Sequence, residues 1–255
     1  MILSVENVTV RRGTAELLKH VSWGVRPGEH WAVLGLNGSG KTTLLNLLNG
    51  YFFPSEGQVT VLGRRFGAYD LRELRKQIGW VSTALQEKLH GTDTVEEVVL
   101  SGRFASVGLY DAPEAGDLTR AGQLLAQLGL CPMAGREYRT LSQGEKQKAL
   151  VARGLMASPD LLILDEPCTG LDLFARQDLL ASIGALGAAP HPTLLYVTHH
   201  IEEVLPVFTH VLLLREGAVH SQGLKAQVLT QENLSDFFGR PVTLELMGGR
   251  YRLGF

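Results

Sequence analysis

The chain has 255 residues, of which 45% are hydrophobic and 20% are charged, and its formal net charge is −2. This length allows a substantial core, and the near-neutral charge gives no support for a nucleic-acid-binding protein. The first residues lack a basic region followed by an apolar run, and every apolar stretch is far too short to cross a bilayer. Two cysteines without metal-ligand spacing favour free thiols in a reducing compartment. We therefore predict a cytoplasmic protein that reaches a membrane only through a partner.

The order of strand and helix patterns predicts an α/β protein. Strands are predicted at residues 3–10, 21–25, 31–34, 58–62 and 78–81, with a helix at 42–48. From about residue 92 to residue 157 the apolar spacing indicates helices. Apolar runs at 161–164 and 194–197 then flank a helical stretch at 173–186, which is the pattern of a parallel sheet with crossover helices. A β-hairpin is predicted at about 242–253, with a Gly-Gly turn.

A glycine-rich segment between a predicted strand and a predicted helix matches the phosphate-binding pattern G-x-x-x-x-G-K-[ST]. Its residues are Gly35, Leu36, Asn37, Gly38, Ser39, Gly40, Lys41 and Thr42. The glycines let backbone N–H groups point at phosphate oxygens, and the following helix presents its positive end to the same anion. We expect Lys41 to reach the β- and γ-phosphates and Thr42 to ligate Mg²⁺. The alternative is a glycine-rich turn without function, but the apolar strand and helix around the segment favour nucleotide binding.

A second candidate segment is an apolar run, 161–164, that ends in Asp165 and Glu166. Burying either carboxylate without a partner would be costly. Beside a phosphate-binding loop, Asp165 is expected near Mg²⁺, and Glu166 is expected to polarise the attacking water. The alternative is a pair of solvated acids in a turn before Pro167.

A third segment, residues 141–147, begins a predicted helix that runs to about residue 157. Ser142 and Glu145 fit the capping box S-x-x-E, in which each side chain caps a backbone N–H group. The simple interpretation is a well-capped helix. The functional interpretation is a second anion site formed by Ser142, Gly144 and the helix N-terminus.

Taken together, these segments resemble the motifs of the ABC ATPase family, in the same order and along essentially the whole chain. Residues 35–42 resemble its Walker A motif, 161–166 its Walker B motif and 169–172 its D-loop. Residues 141–147 resemble its signature, usually LSGGQ, although Gln143 and Glu145 depart from it, and 197–199 resemble the switch-histidine segment. The resemblance implies a single α/β P-loop domain with a RecA-like core, an antiparallel β subdomain and a helical subdomain at about 87–157.

The resemblance also implies that the chain binds ATP and Mg²⁺ and hydrolyses ATP. The implied catalytic residues are Lys41, Glu166 and His199, with His199 sensing the γ-phosphate and orienting Glu166 and water. The implied nucleotide contacts are Arg12, Gly35, Leu36, Asn37, Gly38, Ser39, Gly40, Lys41, Thr42, Thr43, Ser142 and Gly144, and the implied metal ligands are Thr42, Gln86 and Asp165. Because the family's signature closes over ATP held by another subunit, one copy of each motif implies a head-to-tail dimer.

Two positions depart from the family pattern. An aromatic residue usually precedes a glycine and stacks on adenine, but here Arg12 precedes Gly13. A guanidinium plane also stacks on a base, so Arg12 is the candidate adenine contact. The family's Q-loop glutamine normally lies two residues after a strand, where this chain has Thr83, and the nearby glutamine is Gln86. We choose Gln86 because an amide offers both a metal ligand and a donor.

The predicted function is the ATPase subunit of an importer that works beneath membrane permease subunits, with a substrate-binding protein as a further partner. Residues 94–103 are similar to the stretch that follows the Q-loop in importers of metal chelates, cobalamin and molybdate. The alternative is a soluble ABC ATPase acting on nucleic acid or ribosomes. Such proteins usually join two ATPase domains or insert a long coiled coil, and neither feature is present here. A P-loop kinase or GTPase-like switch is disfavoured by the signature-like segment.

Overall fold

The computed structural model describes residues 1–254, which form two compact units. The first unit contains Met1–Leu74 and the chain from Gly187 onward, and the second is Arg75–Leu186. The strands, in chain order, are β1 Leu3–Arg12, β2 Ala15–Val25, β3 Trp31–Leu34, β4 Glu56–Val61, β5 Arg64–Arg65, β6 Ile78–Val81, β7 Leu161–Asp165, β8 Thr193–Thr198, β9 His210–Arg215, β10 Ala218–Leu224, β11 Thr243–Met247 and β12 Arg250–Gly254.

The helices include three that run for thirteen or fourteen residues, and the others are shorter. They are α1 Lys41–Leu48, α2 Leu71–Arg75, α3 Thr83–Gln86, α4 Val95–Ser101, α5 Ala115–Gln127, α6 Gln143–Leu155, α7 Leu173–Leu186, α8 Lys225–Val228 and α9 Gln231–Phe238. Short 3₁₀ turns lie at Gly102–Phe104, Cys131–Met133, Tyr138–Thr140 and Ile201–Glu203. Among residues 1–254, no helix combines the length and apolar character needed to cross a membrane.

The first unit contains an antiparallel sheet in the order β2-β1-β4-β5. It also contains β3, which pairs in parallel with β8 on one side and with β9 on the other, while β10 pairs antiparallel with β9. All residues of β3 and β8 are buried, which explains why these strands read as continuous apolar runs. Parallel pairing brings the carboxyl ends of β3 and β8 to one edge, where loops of open α/β sheets carry ligand sites.

The second unit combines the parallel pair β6 and β7 with most of the long helices. Helix α4 packs against α5 and α6, and its buried face includes Val95, Val98 and Val99. Helix α6 lies directly on β6, where Gly79 contacts the backbone of Gly154. A Cβ atom on Gly79 would lie 2.3 Å from the carbonyl oxygen of Gly154, so this packing requires glycine.

The C-terminal strands β11 and β12 form a hairpin with a two-residue turn at Gly248 and Gly249. Both turn residues have positive φ, 57° and 78°, as a type I′ turn requires. Strand β12 packs against the 3₁₀ turn Ile201–Glu203 of the same unit. The hairpin therefore covers the segment that follows β8.

Candidate nucleotide-binding site

Residues 35–42 form a loop that leaves the carboxyl end of β3 and enters α1. Gly38 and Gly40 have φ angles of 80° and 102°, a backbone region that favours glycine. A Cβ atom on Gly35 would lie 2.3 Å from Oγ of Ser39, so this position has no room for a side chain. These glycines let the loop fold tightly in front of the N-terminus of α1, where the helix dipole and unpaired N–H groups attract anions.

The side chains of the loop are suited to a phosphate group. Lys41 is 6% exposed, and its Nζ donates to the carbonyl oxygens of Gly35 at 2.8 Å and Leu36 at 3.2 Å. The Ser39 hydroxyl is buried and has no hydrogen-bond partner among residues 1–254. An unpaired buried hydroxyl is costly, and a phosphate oxygen would supply its partner. Thr42 follows at the start of α1 with an exposed side chain, open to a metal ion.

One turn and one strand of the first unit contact the loop from outside. The N–H of Gly217, in the turn between β9 and β10, donates to the carbonyl oxygen of Ser39 at 2.9 Å. Strand β2 passes so close that a Cβ atom on Gly40 would lie 3.0 Å from the Leu18 side chain. A cavity of about 280 Å³ adjoins the loop, lined by residues 36–39, by 214–216 and by Phe237 and Phe238. The loop is therefore held firmly and borders open space.

Arg12, the candidate adenine contact, ends β1 at the turn into β2. It is paired in register with Ala15, and Gly13 between them has a φ of 61°. The Arg12 side chain is exposed, and it forms no hydrogen bond or ion pair within the described part of the chain. Its guanidinium plane is thus accessible to a base, and its role in adenine binding stays a prediction.

The histidine assigned as the switch residue lies next to the phosphate loop. Thr198, the last residue of β8, is paired with Leu34, the last residue of β3. His199 and Gly35 therefore leave neighbouring strands side by side, and both line one small cavity. The rings of His199 and His200 are 4.1 Å apart between centroids. The structure brings His199 to the phosphate loop, while its sensing role stays a prediction.

The acidic pair lies at the end of β7 in the second unit, where Asp165 is the last residue of the strand and Glu166 follows it. The four residues before Asp165 are buried, whereas Asp165 and Glu166 are partly exposed. Glu166 has a φ of 47°, which is uncommon for a residue other than glycine. The backbone therefore turns sharply at the residue assigned as the general base.

The signature-like segment begins helix α6 with the predicted capping box, which the structure confirms. The N–H of Glu145 donates to Ser142 Oγ at 3.3 Å, and the N–H of Ser142 donates to Glu145 Oε2 at 2.7 Å. That backbone hydrogen bond lowers the pKa of the Glu145 carboxyl. Gly144 packs on α7, where a Cβ atom would lie 2.8 Å from Cβ of Ala175. Glu145, the departure from the family's glutamine, thus caps its own helix.

Gln86 has partners in the same unit that its sequence position did not reveal. Its Nε2 donates to Gln143 Oε1 at 3.2 Å, and its Oε1 accepts from Nε2 of Gln143 at 3.2 Å and from Nε2 of Gln147 at 2.9 Å. The extra residues between β6 and Gln86 form helix α3, which Ser82 caps. Thr83 begins this helix with an exposed side chain. Gln143, the other departure from the signature, therefore pairs with the candidate Q-loop residue.

Two further groups of residues in the first unit carry no motif that identifies them in the sequence. Phe237 and Phe238 line both cavities beside the loop, yet the sequence assigned neither of them a role. Leu234 and Phe237 are buried and lie three positions apart. This spacing predicts a buried helix face, but it does not predict which segment that face packs against. Glu203, four residues after His199, is buried, and no sequence signal separates it from the adjacent Glu202.

A glycine-rich loop between a parallel strand and a helix, with a buried lysine and an unpaired buried hydroxyl, defines a P-loop nucleotide-binding protein. The family model described as "ABC transporter" matches residues 18–169, which is more than half of the chain. The chain therefore belongs to the ABC transporter family, as an ATP-binding subunit that hydrolyses ATP. The predicted fold class and enzyme class are confirmed.

Individual relatives agree with this assignment. The "Uncharacterized ABC transporter ATP-binding protein YlmA" of Bacillus subtilis (strain 168) is 50% identical over 244 residues, which cover 95% of this chain and 92% of that protein. The "Hemin import ATP-binding protein HmuV" of Bradyrhizobium diazoefficiens is 34% identical over 245 residues, which cover 93% of this chain and 88% of that protein. A solved structure, the ATP-binding cassette MJ0796 as a post-hydrolysis dimer bound to ADP and Pi, has a TM-score of 0.74 and 26% identity. That match covers 87% of this chain and 98% of the cassette.

Proposed function

We propose that the protein is the ATPase subunit of an importer and works as a head-to-tail dimer beneath membrane permease subunits. The observation that carries this proposal is the single copy of each element: one phosphate loop at Gly35 and one signature-like helix start at Ser142. A relative named as a hemin import protein and a related cassette described as a dimer support it. The protein would then lie at the inner face of the cell membrane, with a substrate-binding protein as a further partner.

The proposed roles follow from the chemistry of each group. Lys41 and the N–H groups of residues 35–43 would hold the phosphates of ATP. Thr42, Asp165 and Gln86 would ligate Mg²⁺, which neutralises charge on the phosphates when bound. In the second subunit, Ser142 and Gly144 would place the N-terminus of α6 against the same nucleotide.

The proposed hydrolytic groups are Glu166 and His199. Glu166 would accept a proton from the attacking water, and His199 would orient Glu166 and that water. The domain assignment, a single ABC ATPase domain with a helical subdomain at about 87–157, is likewise part of the proposal. Catalysis of this kind rests on positioning and on charge stabilisation.

Affinity purification from solubilised membranes tests the transport assignment. The tagged chain, extracted in mild detergent, is expected to copurify a polytopic membrane protein, and the reconstituted complex should hydrolyse ATP faster than the chain alone. An untagged strain is the control. Recovery of RNA or ribosomal proteins without a membrane protein would contradict the proposal and support the alternative of an ABC ATPase acting on nucleic acid or ribosomes.

Replacing Arg12 tests its proposed contact with adenine. Stacking of a cation on an aromatic face contributes about 0.5–2 kcal/mol, so Arg12→Ala should weaken ATP binding by up to about thirtyfold. Arg12→Tyr should restore or improve affinity because tyrosine also stacks. Isothermal titration with ATP measures both, and Arg11→Ala is a matched control because that neighbouring arginine is held by Glu16 and Glu56. If Arg12→Ala binds ATP with wild-type affinity, Arg12 does not contact adenine and is only a surface charge.

A further inference from the structure

A buried carboxylate is hydrogen-bonded to the strand that leads into His199. Glu203 ends the 3₁₀ turn that follows β8, and it is only 2% exposed. Its Oε2 accepts two hydroxyl protons, from Tyr196 Oη at 2.8 Å and from Thr198 Oγ1 at 2.6 Å. Both donors belong to β8, the strand that leads into His199. The carboxylate therefore joins the turn after His199 to the strand before it.

The Thr198 hydroxyl also receives a hydrogen bond from the other side. The backbone N–H of His200 donates to Thr198 Oγ1 at 3.0 Å. Since a hydroxyl has a single proton, and here it accepts from His200, that proton points to Glu203. The direction of both hydrogen bonds is thus set: the His200 N–H donates to Thr198 Oγ1, and the Thr198 hydroxyl donates to Glu203. His199 lies between Thr198 and His200 in the sequence, so these hydrogen bonds hold the backbone on both sides of it.

Packing holds Tyr196 and Glu203, two members of this hydrogen-bond network, in place. The Tyr196 ring contacts Phe208 with centroids 5.3 Å apart, and β12 of the C-terminal hairpin packs on the turn that contains Glu203. Replacing buried polar groups with apolar side chains of the same shape is often neutral for stability. The stability of the fold therefore does not explain why position 203 is a carboxylate. A role in fixing the backbone around His199 explains it.

We infer that Glu203 is a positioning residue for His199, acting through Thr198 and the backbone of His200. This inference rests on the proposed role of His199 in orienting water and Glu166. The carboxylate fixes the peptide groups on both sides of His199, so the imidazole leaves the strand end in one direction beside Gly35. Glu203 touches neither nucleotide nor water in this role. Its loss should slow hydrolysis without weakening ATP binding.

The experiment compares Glu203→Ala and Glu203→Gln with Glu202→Ala, a matched control because Glu202 is the exposed acid next to it. Steady-state hydrolysis should give a kcat about tenfold lower for Glu203→Ala, with KM for ATP within about twofold, as for the loss of a charge-assisted hydrogen bond. Glu203→Gln should recover part of the rate because its amide oxygen also accepts both hydroxyl protons. Glu202→Ala should match the wild type.

A double-mutant cycle with His199→Ala separates positioning from general stabilisation. If Glu203 acts through His199, Glu203→Ala should cost nothing further in the His199→Ala background. An equal loss in both backgrounds, or a wild-type kcat for Glu203→Ala, would overturn the inference while leaving the role of His199 intact. Wild-type hydrolysis by His199→Ala would overturn both. If Glu203→Ala does not fold, Thr198→Val removes the central hydroxyl with little change in shape and should show the same fall in kcat.

Discussion

The Glu166→Gln variant is expected to bind ATP normally and to hydrolyse it about 10²–10⁴-fold more slowly, the usual contribution of a general base. Glutamine keeps the size and a hydrogen-bonding oxygen but cannot accept the proton of the attacking water. The left-handed backbone at Glu166, with φ of 47°, is compatible with glutamine at a similar cost, so the variant should fold. The loss would therefore lie in chemistry and not in binding.

Trapping of the uncleaved nucleotide should also change the oligomeric state. If two subunits enclose ATP, Glu166→Gln should elute as a dimer in size-exclusion chromatography with MgATP and as a monomer without it. The matched control is Asp160→Asn, which neutralises an exposed acid immediately before the first residue of strand β7, at the end of the strand away from Glu166. This control should hydrolyse ATP like the wild type and form no stable dimer. Near-normal hydrolysis by Glu166→Gln would contradict its assignment as the general base.

The Gln86→Ala variant is expected to lose on the order of 10²-fold in hydrolysis, or its stimulation by the permease, as for the loss of one transition-state contact. An amide oxygen is a suitable Mg²⁺ ligand, while its NH₂ group donates to water. In the structure this amide instead bonds to Gln143 and Gln147 of α6. Binding a metal would require Gln86 to leave those partners, which would couple the nucleotide to the signature helix.

Thr83→Ala is the matched control for Gln86, because both residues lie on the short helix α3 and Thr83 is exposed. ATPase activity of the two variants should be measured with and without the reconstituted permease. We expect a mild effect for Thr83→Ala. The reverse pattern would mean that the metal contact lies at Thr83 and that Gln86 serves only to hold α3 on α6.

Local chemistry explains why the phosphate loop and the signature helix start were visible in the sequence. Positions 38 and 40 of the loop favour glycine because the backbone there has positive φ. This requirement appears in the sequence as glycines at a fixed spacing before Lys41. Ser142 and Glu145 of the capping box are only three positions apart, so both partners lie in one short segment. The buried runs of β3 and β8 were equally visible because strands covered on both faces contain few polar residues.

The sequence by itself therefore predicted the family and the fold class, both of which are confirmed, and it supplied the residues that we propose to bind and hydrolyse ATP. Tertiary structure alone decided which polar side chains meet: Gln86 and Gln143 are 57 positions apart, and no periodicity links them. It also separated Glu203, which is buried under strand β8 and the C-terminal hairpin, from the exposed Glu202 beside it. The physical reason is that glycine spacing and helix capping are local requirements of the backbone, whereas the partner of a buried polar group depends on which distant segments pack around it.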